Sequence, residues 1–456
     1  MRLAEGVVEH ARGLVWQRVL AISLYPTPRA DLRRPRWRRF ATPTAAVVLG
    51  TVAQLIRLTG KPVLNTVWAE DGAVFLRDAY NRPFSHALFH TYAGYMHLVP
   101  RLLAELASEV PVNDASIVMT GGAAVIVAML AVIVFRASRD VMSSVPVRVA
   151  LAAAMVVLPA TALETLDNAA NLHWYLIFAA FWVLLWRPSS RTERVVGCAV
   201  LVCAAMSDPL TAVLAPLALA RWVALPNRGD RTFSITYAAA LAVQLCFAVA
   251  AKANPLHVAP GVMSVAKVYG LRVATASIVG DQITNRLFVT LGWALAWVGA
   301  AAVVAIVVFG LRRWNARWAV VALAVLSSSA VFLIPMSLRW EPSLVSVRYA
   351  DALGGGSRYT VVPVLLLISA FLVIADQAGQ RWRNAPVAVV IAMGLVFTWG
   401  PGFLVHNERS LGPKWRTALF QARPKCTSDR GTVNVAIPPL VPKGVWKVPV
   451  PCKRLR

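Results

Sequence analysis

Glu70 and Asp71 stand side by side in the stretch LNTVWAEDGAVFLRDAYN at 64–81, flanked by Trp68 and Gly72. A carboxylate in such a setting can take a proton from a hydroxyl or bind a divalent metal ion. Acids also favour the first turn of a helix, and 71–80 has a helical pattern, so the pair reads equally as an N-terminal cap. Glu164 and Asp167 form a second acidic cluster, three residues apart and on one face if helical. They either position an acceptor, complete a metal site with Asp71, or sit in a solvated loop. His97 and His173 are candidates for phosphate binding or proton shuttling, with interfacial packing as the plainer reading. His86 and His90 have helical spacing but no further ligand to make a zinc site. Arg348, Arg358 and Lys267 are the basic candidates. A guanidinium forks onto phosphate oxygens and an ammonium acts as a point charge; lipid headgroups are the alternative partner. Each of these arginines precedes a tyrosine, Tyr349 or Tyr359. GGGSRY at 354–359 is flexible enough to close over a ligand but lacks the Lys-Ser/Thr of a phosphate loop.

The elements that must position these residues are membrane helices. The chain has 456 residues, 58% of them hydrophobic, and a mean hydropathy of +0.61. Apolar runs of roughly 17–25 residues end in charges, the pattern of spanning helices and not of a barrel. An all-α polytopic protein follows, because each span satisfies its own backbone in lipid. The net charge of +25 is scattered between the runs and forms no single face, which excludes nucleic acid as its purpose. Cys198, Cys203 and Cys246 fall in apolar runs as small core residues. Cys426 and Cys452 lie in the polar tail, as free thiols or, if the tail is outside, as a disulfide. The first forty residues show no cleavable signal peptide.

In order, residues 1–42 read as a cytoplasmic basic segment with an interfacial helix at 7–24. Spans are expected at 43–60, 115–135, 148–163 and 172–186. The segment 195–222 reads as two short helices broken at Ser207-Asp208-Pro209. Further spans follow at 233–251, 287–311, 318–335, 360–376 and 386–400. That makes about 11 spans over 43–400, with the N-terminus inside and outer loops at 61–113, 164–171, 252–286 and 336–359. Residues 401–456 are expected to be a small outer tail of short extended segments. On this topology the polar candidates gather at one membrane face, which suggests a site there.

This pattern resembles the GT-C superfamily of polytopic glycosyltransferases that use polyprenyl-phosphate donors. The resemblance lies in the acidic pair after span one, the long first outer loop with helical pieces, the acidic Glu164 and Asp167 in the second outer loop, and Arg358-Tyr359 before a late span. The pair is EDG, not a spaced DxD, and no WWD-type motif occurs, so peptide glycosylation is not expected. The richness in Ala, Val and Arg hints at a high-GC bacterium, such as an actinobacterium. The resemblance implies an inverting transfer of a sugar to an envelope glycan, lipid or protein on the outer face of the plasma membrane. It makes Asp71 the base, with Glu70, Glu164, Asp167 and His173 positioning the acceptor. Arg358, Arg348, Lys267 and Tyr359 would hold the donor phosphate. A divalent cation, Mg or Mn, on Asp71 and Asp167 is compatible and not required. The rival readings are a transporter or flippase of lipid-linked sugars, which needs polar breaks at mid-membrane depth, and a non-catalytic assembly protein.

Overall fold

The computed structural model describes residues 17–25, 36–60, 62–158, 164–251, 261–314, 317–341, 344, 356–381, 400–404, 406, 408–440 and 446–455. Arg348, most of the expected span 386–400, and the first part of the 7–24 helix lie outside the described residues.

Leu172–Leu185 forms the central helix. Its sequence LHWYLIFAAFWVLL is apolar on every face after His173, and every residue in it is buried. A helix without a polar stripe is stable only when other elements surround it. Here the neighbours are Gly122–Ala137, Arg191–Ala205 and Arg358–Arg381. Its last carbonyls would be orphaned in so apolar a setting. Arg221 Nη1 donates to the Leu184 and Trp186 carbonyls at 2.9 and 2.7 Å, and the Tyr25 hydroxyl donates to Leu184 at 3.2 Å. Small residues allow close helix contact elsewhere. A Cβ on Gly50 would meet the Ala128 Cβ at 3.0 Å, bringing Arg36–Leu55 close to Gly122–Ala137.

Among the described residues, six helices are long and apolar enough to cross a membrane: Val112–Asp140, Arg228–Ala250, Val262–Val279, Ala294–Arg312, Trp318–Leu338 and Arg358–Ala378. Four shorter apolar helices cover Thr42–Leu55, Val145–Val157, Leu172–Leu185 and Pro209–Ala224. The protein is thus a helical, multi-pass membrane protein, but among the described residues the expected count of eleven is not reached. At 1.5 Å per residue, a 13-residue helix such as Val145–Val157 rises only roughly 20 Å, against a hydrocarbon core of about 30 Å. For 148–163, apolarity marked a span that the length of the described helix Val145–Val157 does not match. The opposite correction applies to 261–279, expected as an amphipathic outer stretch. Lys267 and Arg272 interrupt an otherwise apolar run, and the segment forms a helix of spanning length. The 195–222 region does divide, into Arg191–Ala205 and Ala215–Ala224. Asp208 ends the first by accepting from the Leu210 amide at 2.7 Å, which caps the turn Pro209–Leu214.

The C-terminal segment is a small lobe. Strand β1, Thr432–Ala436, pairs antiparallel with β2, Lys447–Pro451, with Val433 opposite Val450 and Val435 opposite Val448. These four valines are buried, the inward half of a period-2 pattern. A two-stranded ribbon is marginal alone. A Cys426–Cys452 disulfide and contacts with residues 64–114 support this one. The Trp415 indole donates to Val112 O at 2.7 Å, and Asn81 donates to Pro449 O at 3.1 Å.

Candidate functional site

The backbone changes hand just before the acidic pair. Ala69 has φ +34, where a side chain is strained, and its amide donates to Pro438 O at 2.8 Å. The chain then enters a π-helix, Asp71–Leu76, a form that recurs at functional sites. Gly72 lies flush against the lobe: a Cβ there would meet Ile437 at 2.5 Å, Val448 at 2.7 Å and Val67 at 2.9 Å. The C-terminal lobe therefore fixes how Glu70 and Asp71 are presented.

The two acids go different ways. Asp71 is 1% exposed, and its oxygens accept from the Ala170 amide at 2.7 Å and the Ala169 amide at 3.0 Å. Burial pushes its carboxyl up to about 7; the two amides and Arg409 oppose that, and Glu70 adds to it. Asp167 lies close by in the same 164–171 loop, at φ +50. Burial pushes it up to about 6 against the charges of Arg409 and Arg57, and neither oxygen has a hydrogen-bond partner among the described residues. Arg409 ties this region together. It donates to Thr66 Oγ1 at 2.8 Å, to the Asp167 and Leu166 carbonyls at 2.9 and 3.1 Å, and to Thr120 Oγ1 at 2.5 Å. These residues do not fit a divalent cation. Asp71 is filled by amides, Asp167 is faced by two guanidiniums, and among the described residues no three His, Cys, Asp or Glu side chains converge.

Glu70 is half-buried and makes no hydrogen bond or ion pair among the described residues. Its charge reaches Tyr92, whose hydroxyl is pushed up to about 12 by burial and by Glu70, while Arg358, Arg339 and Arg77 oppose the shift. An aromatic wall continues from there. Tyr95 stacks on His97 at 4.2 Å between ring centres, and His97 meets His173 edge-on at 6.3 Å. His173 touches Trp174 at 4.6 Å, and Trp174 meets Tyr359 at 5.5 Å. His97 is lowered well below the usual imidazole range by burial, with the charges of His173 and Arg101 adding to it. Arg358 lies 4.0 Å from Glu164 and 4.0 Å from Glu341, with its guanidinium 5.1 Å from the Tyr359 ring. Glu164 also accepts from the Gly356 and Arg358 amides at 2.9 and 3.3 Å, which joins the second acidic cluster to the start of the 358–381 helix.

Glu70, Glu164, His173, Arg358 and Tyr359 therefore share one neighbourhood, while Asp71 and Asp167 lie behind it. Lys267 is on the helix Val262–Tyr269 and makes no hydrogen bond or ion pair to this group among the described residues. His90 has a structural partner: its Nδ1 lies 2.8 Å from Asp78, which also binds Arg77, Arg82 and Arg101. Sequence reasoning did not single out Arg409, and it read Asp208 as a helix break. The signal available for Asp208 was an acid placed among apolar residues directly before a proline.

No family model matches the chain, and no curated protein matches it. Among solved structures the chain is similar to the Archaeoglobus fulgidus oligosaccharyltransferase, crystallised in complex with Zn and sulfate. The identity is 13%, and the TM-score of 0.38 is too low to assign the fold. The match covers 84% of this chain, which spans 56% of the length of that one.

Proposed function

We propose that the protein is a membrane glycosyltransferase that moves a sugar from a polyprenyl-phosphate donor to a hydroxyl acceptor at the membrane surface. One observation carries the reading: a half-buried carboxylate, Glu70, without a partner among the described residues, shares a polar and aromatic space with Arg358 beside apolar helices. In the reaction the acceptor oxygen attacks the anomeric carbon and its proton passes to Glu70. The bond from that carbon to the phosphate oxygen breaks, leaving its electron pair on the phosphate, where Arg358 balances the charge. Such electrostatic stabilisation matters most where the charge develops.

The base is placed one residue before the one the sequence favoured. Asp71 is buried with both oxygens engaged by backbone amides, so in this reading it holds the 169–170 loop and positions Glu70. Glu164 keeps Arg358 in place. The lipid tail would lie along the apolar helices. Transfer assays with a panel of polyprenyl-phosphate sugars test the reading, comparing wild type, Glu70→Gln and Asp71→Asn. Turnover by wild type, lost in Glu70→Gln, supports it. Donor binding without turnover of any donor points to transport or assembly instead, and loss confined to Asp71→Asn restores Asp71 as the base.

A further inference from the structure

His173 and Asp208 form a dyad that neither the acid pair nor Arg358 accounts for. They come from separate elements, the first turn of Leu172–Leu185 and the break after Arg191–Ala205. His173 Nδ1 lies 2.5 Å from Asp208 Oδ2, and Asp208 Oδ1 accepts from the Leu210 amide at 2.7 Å. The carboxylate is thus fixed at both oxygens and fixes the ring. Nδ1 carries the hydrogen, and Nε2 has no hydrogen-bond partner among the described residues. His97 is held the same way, with Nδ1 on Tyr95 O at 3.3 Å. Two imidazoles therefore meet edge to face, each with Nδ1 engaged and Nε2 left for another group. Both are nearly buried, at 3% and 6% exposure, and Tyr95, which stacks on His97, feels the charges of Arg339 and Arg358.

A plain packing role does not require this arrangement. A histidine orienting only itself needs one hydrogen bond, whereas an acid that locks the tautomer of a ring with a free Nε2 is how proteins prepare an imidazole to hold or give a proton. We propose that His173, oriented by Asp208 and carrying a proton on both ring nitrogens when the donor is bound, donates from Nε2 to the phosphate of the polyprenyl-phosphate donor and is left neutral, with Asp208 as a positioning residue. This rests on the transferase reading above. When the anomeric bond breaks, the electron pair left on the phosphate oxygen meets the Nε2 hydrogen while the acceptor proton goes to Glu70. The two proton-handling groups then stand on opposite sides of the reacting carbon.

The phosphate arm is separable from turnover. The probe is undecaprenyl phosphate without sugar, titrated against purified full-length protein in nanodiscs between pH 5 and pH 8.5. The groups facing His173 that also titrate or carry charge are Asp208, His97, Tyr95 and Tyr359, with Arg339, Arg358 and Arg101 further out. The arginines stay charged throughout this range and the tyrosines stay neutral. The phosphate monoester itself loses its second proton at about pH 6, so the part of the pH dependence that belongs to the dyad is the part the variants lose relative to wild type. Wild type is expected to bind about tenfold more tightly at the acid end. Asp208→Asn is expected to flatten that dependence and Asp208→Glu to restore part of it. Asparagine also caps helices, so the turn at Leu210 survives the first substitution. His173→Gln, which leaves Asp208 intact, is expected to flatten it as well. Wild-type affinity and wild-type pH dependence in both Asp208→Asn and His173→Gln overturn the proposal while leaving the transferase reading standing. Wild type that binds no polyprenyl phosphate at any pH removes both. A flat profile in Asp208→Asn alone, with His173→Gln unchanged, assigns the effect to Asp208 and overturns the role of His173.

Discussion

Glu70 and Asp71 are neighbours in the chain and belong to different regions of the molecule. On the Asp71 side, most polar groups are tied to backbone or to a neighbouring charge; Asp167 is the exception, its two oxygens facing Arg409 and Arg57 without a hydrogen bond among the described residues. Asp71 is filled by two amides, and Arg409 reaches two hydroxyls and two carbonyls. On the Glu70 side, the groups keep capacity in reserve. Glu70 has no partner among the described residues, two imidazoles keep Nε2 free, and Arg358 meets its carboxylates only at 4.0 Å. The difference is the ground for proposing Glu70 and not Asp71 as the base: satisfied buried polar groups specify a structure, and unsatisfied half-buried ones are available to a ligand.

The largest effect expected from this contrast is on rate. Glu70→Gln should lower turnover by about 10²–10⁴-fold, the usual worth of a positioned general base, while leaving the melting temperature in nanodiscs within a degree or two. A large fall in stability with little loss of turnover would put Glu70 on the structural side. The next effect is on stability. Arg409→Met leaves Asp167 with Arg57 alone and takes the donor from two carbonyls and two hydroxyls, and should cost about 3–5 kcal/mol. Thermal unfolding and surface expression would read it, and a stable Arg409→Met protein would show that the rear region is not the anchor described here. Gly72→Ala should cost about 1–3 kcal/mol by forcing the β-lobe off the π-helix, because its new methyl has no space. Unchanged unfolding would mean that the lobe yields easily.

Stability should also depend on pH through the rear region. Asp71 and Asp167 bind their protons more tightly folded, at about 7 and about 6, than the value of 3.8 they take when unfolded. Their contribution is fully present below pH 3.8 and is lost as pH rises through about 6 and about 7. Asp71→Asn should therefore flatten the fall between mildly acidic and neutral pH. Equal slopes in wild type and variant would assign it elsewhere.

Much of the architecture was legible because membrane helices are written in hydropathy. The helices at 228–250, 294–312 and 318–338 and the break before Pro209 follow from apolar runs and a proline. Apolarity misled where the helix was short, as at 145–157, and charge misled at 262–279, where two cations made a spanning-length helix look amphipathic. The candidate site was half legible. Residue type drew attention to Glu70, Glu164, His173 and Arg358, and the fold assembles them. What separates Glu70 from Asp71 is a positive φ at Ala69 and the amides of residues 169 and 170, nearly a hundred positions away, which no local pattern encodes. The His173–Asp208 contact likewise spans 35 residues and two helices.

Ala69 offers the smallest and sharpest test of that separation. An alanine at φ +34 sits where glycine is at ease, and the hydrogen bond to Pro438 O keeps it there. Ala69→Gly removes the side-chain strain, of about 1–2 kcal/mol, but gives the unfolded chain more freedom, of about 0.5–1 kcal/mol. The net gain in stability should be no more than about 1 kcal/mol. If the strain serves to aim Glu70, that gain comes with slower transfer, because the freed peptide no longer holds the carboxylate in one orientation. Asp71, held by its two amides, should keep its place. A variant that is both more stable and fully active would show that the turn at Ala69 is tolerated and not used, and that Glu70 is oriented by its neighbours in the aromatic wall instead.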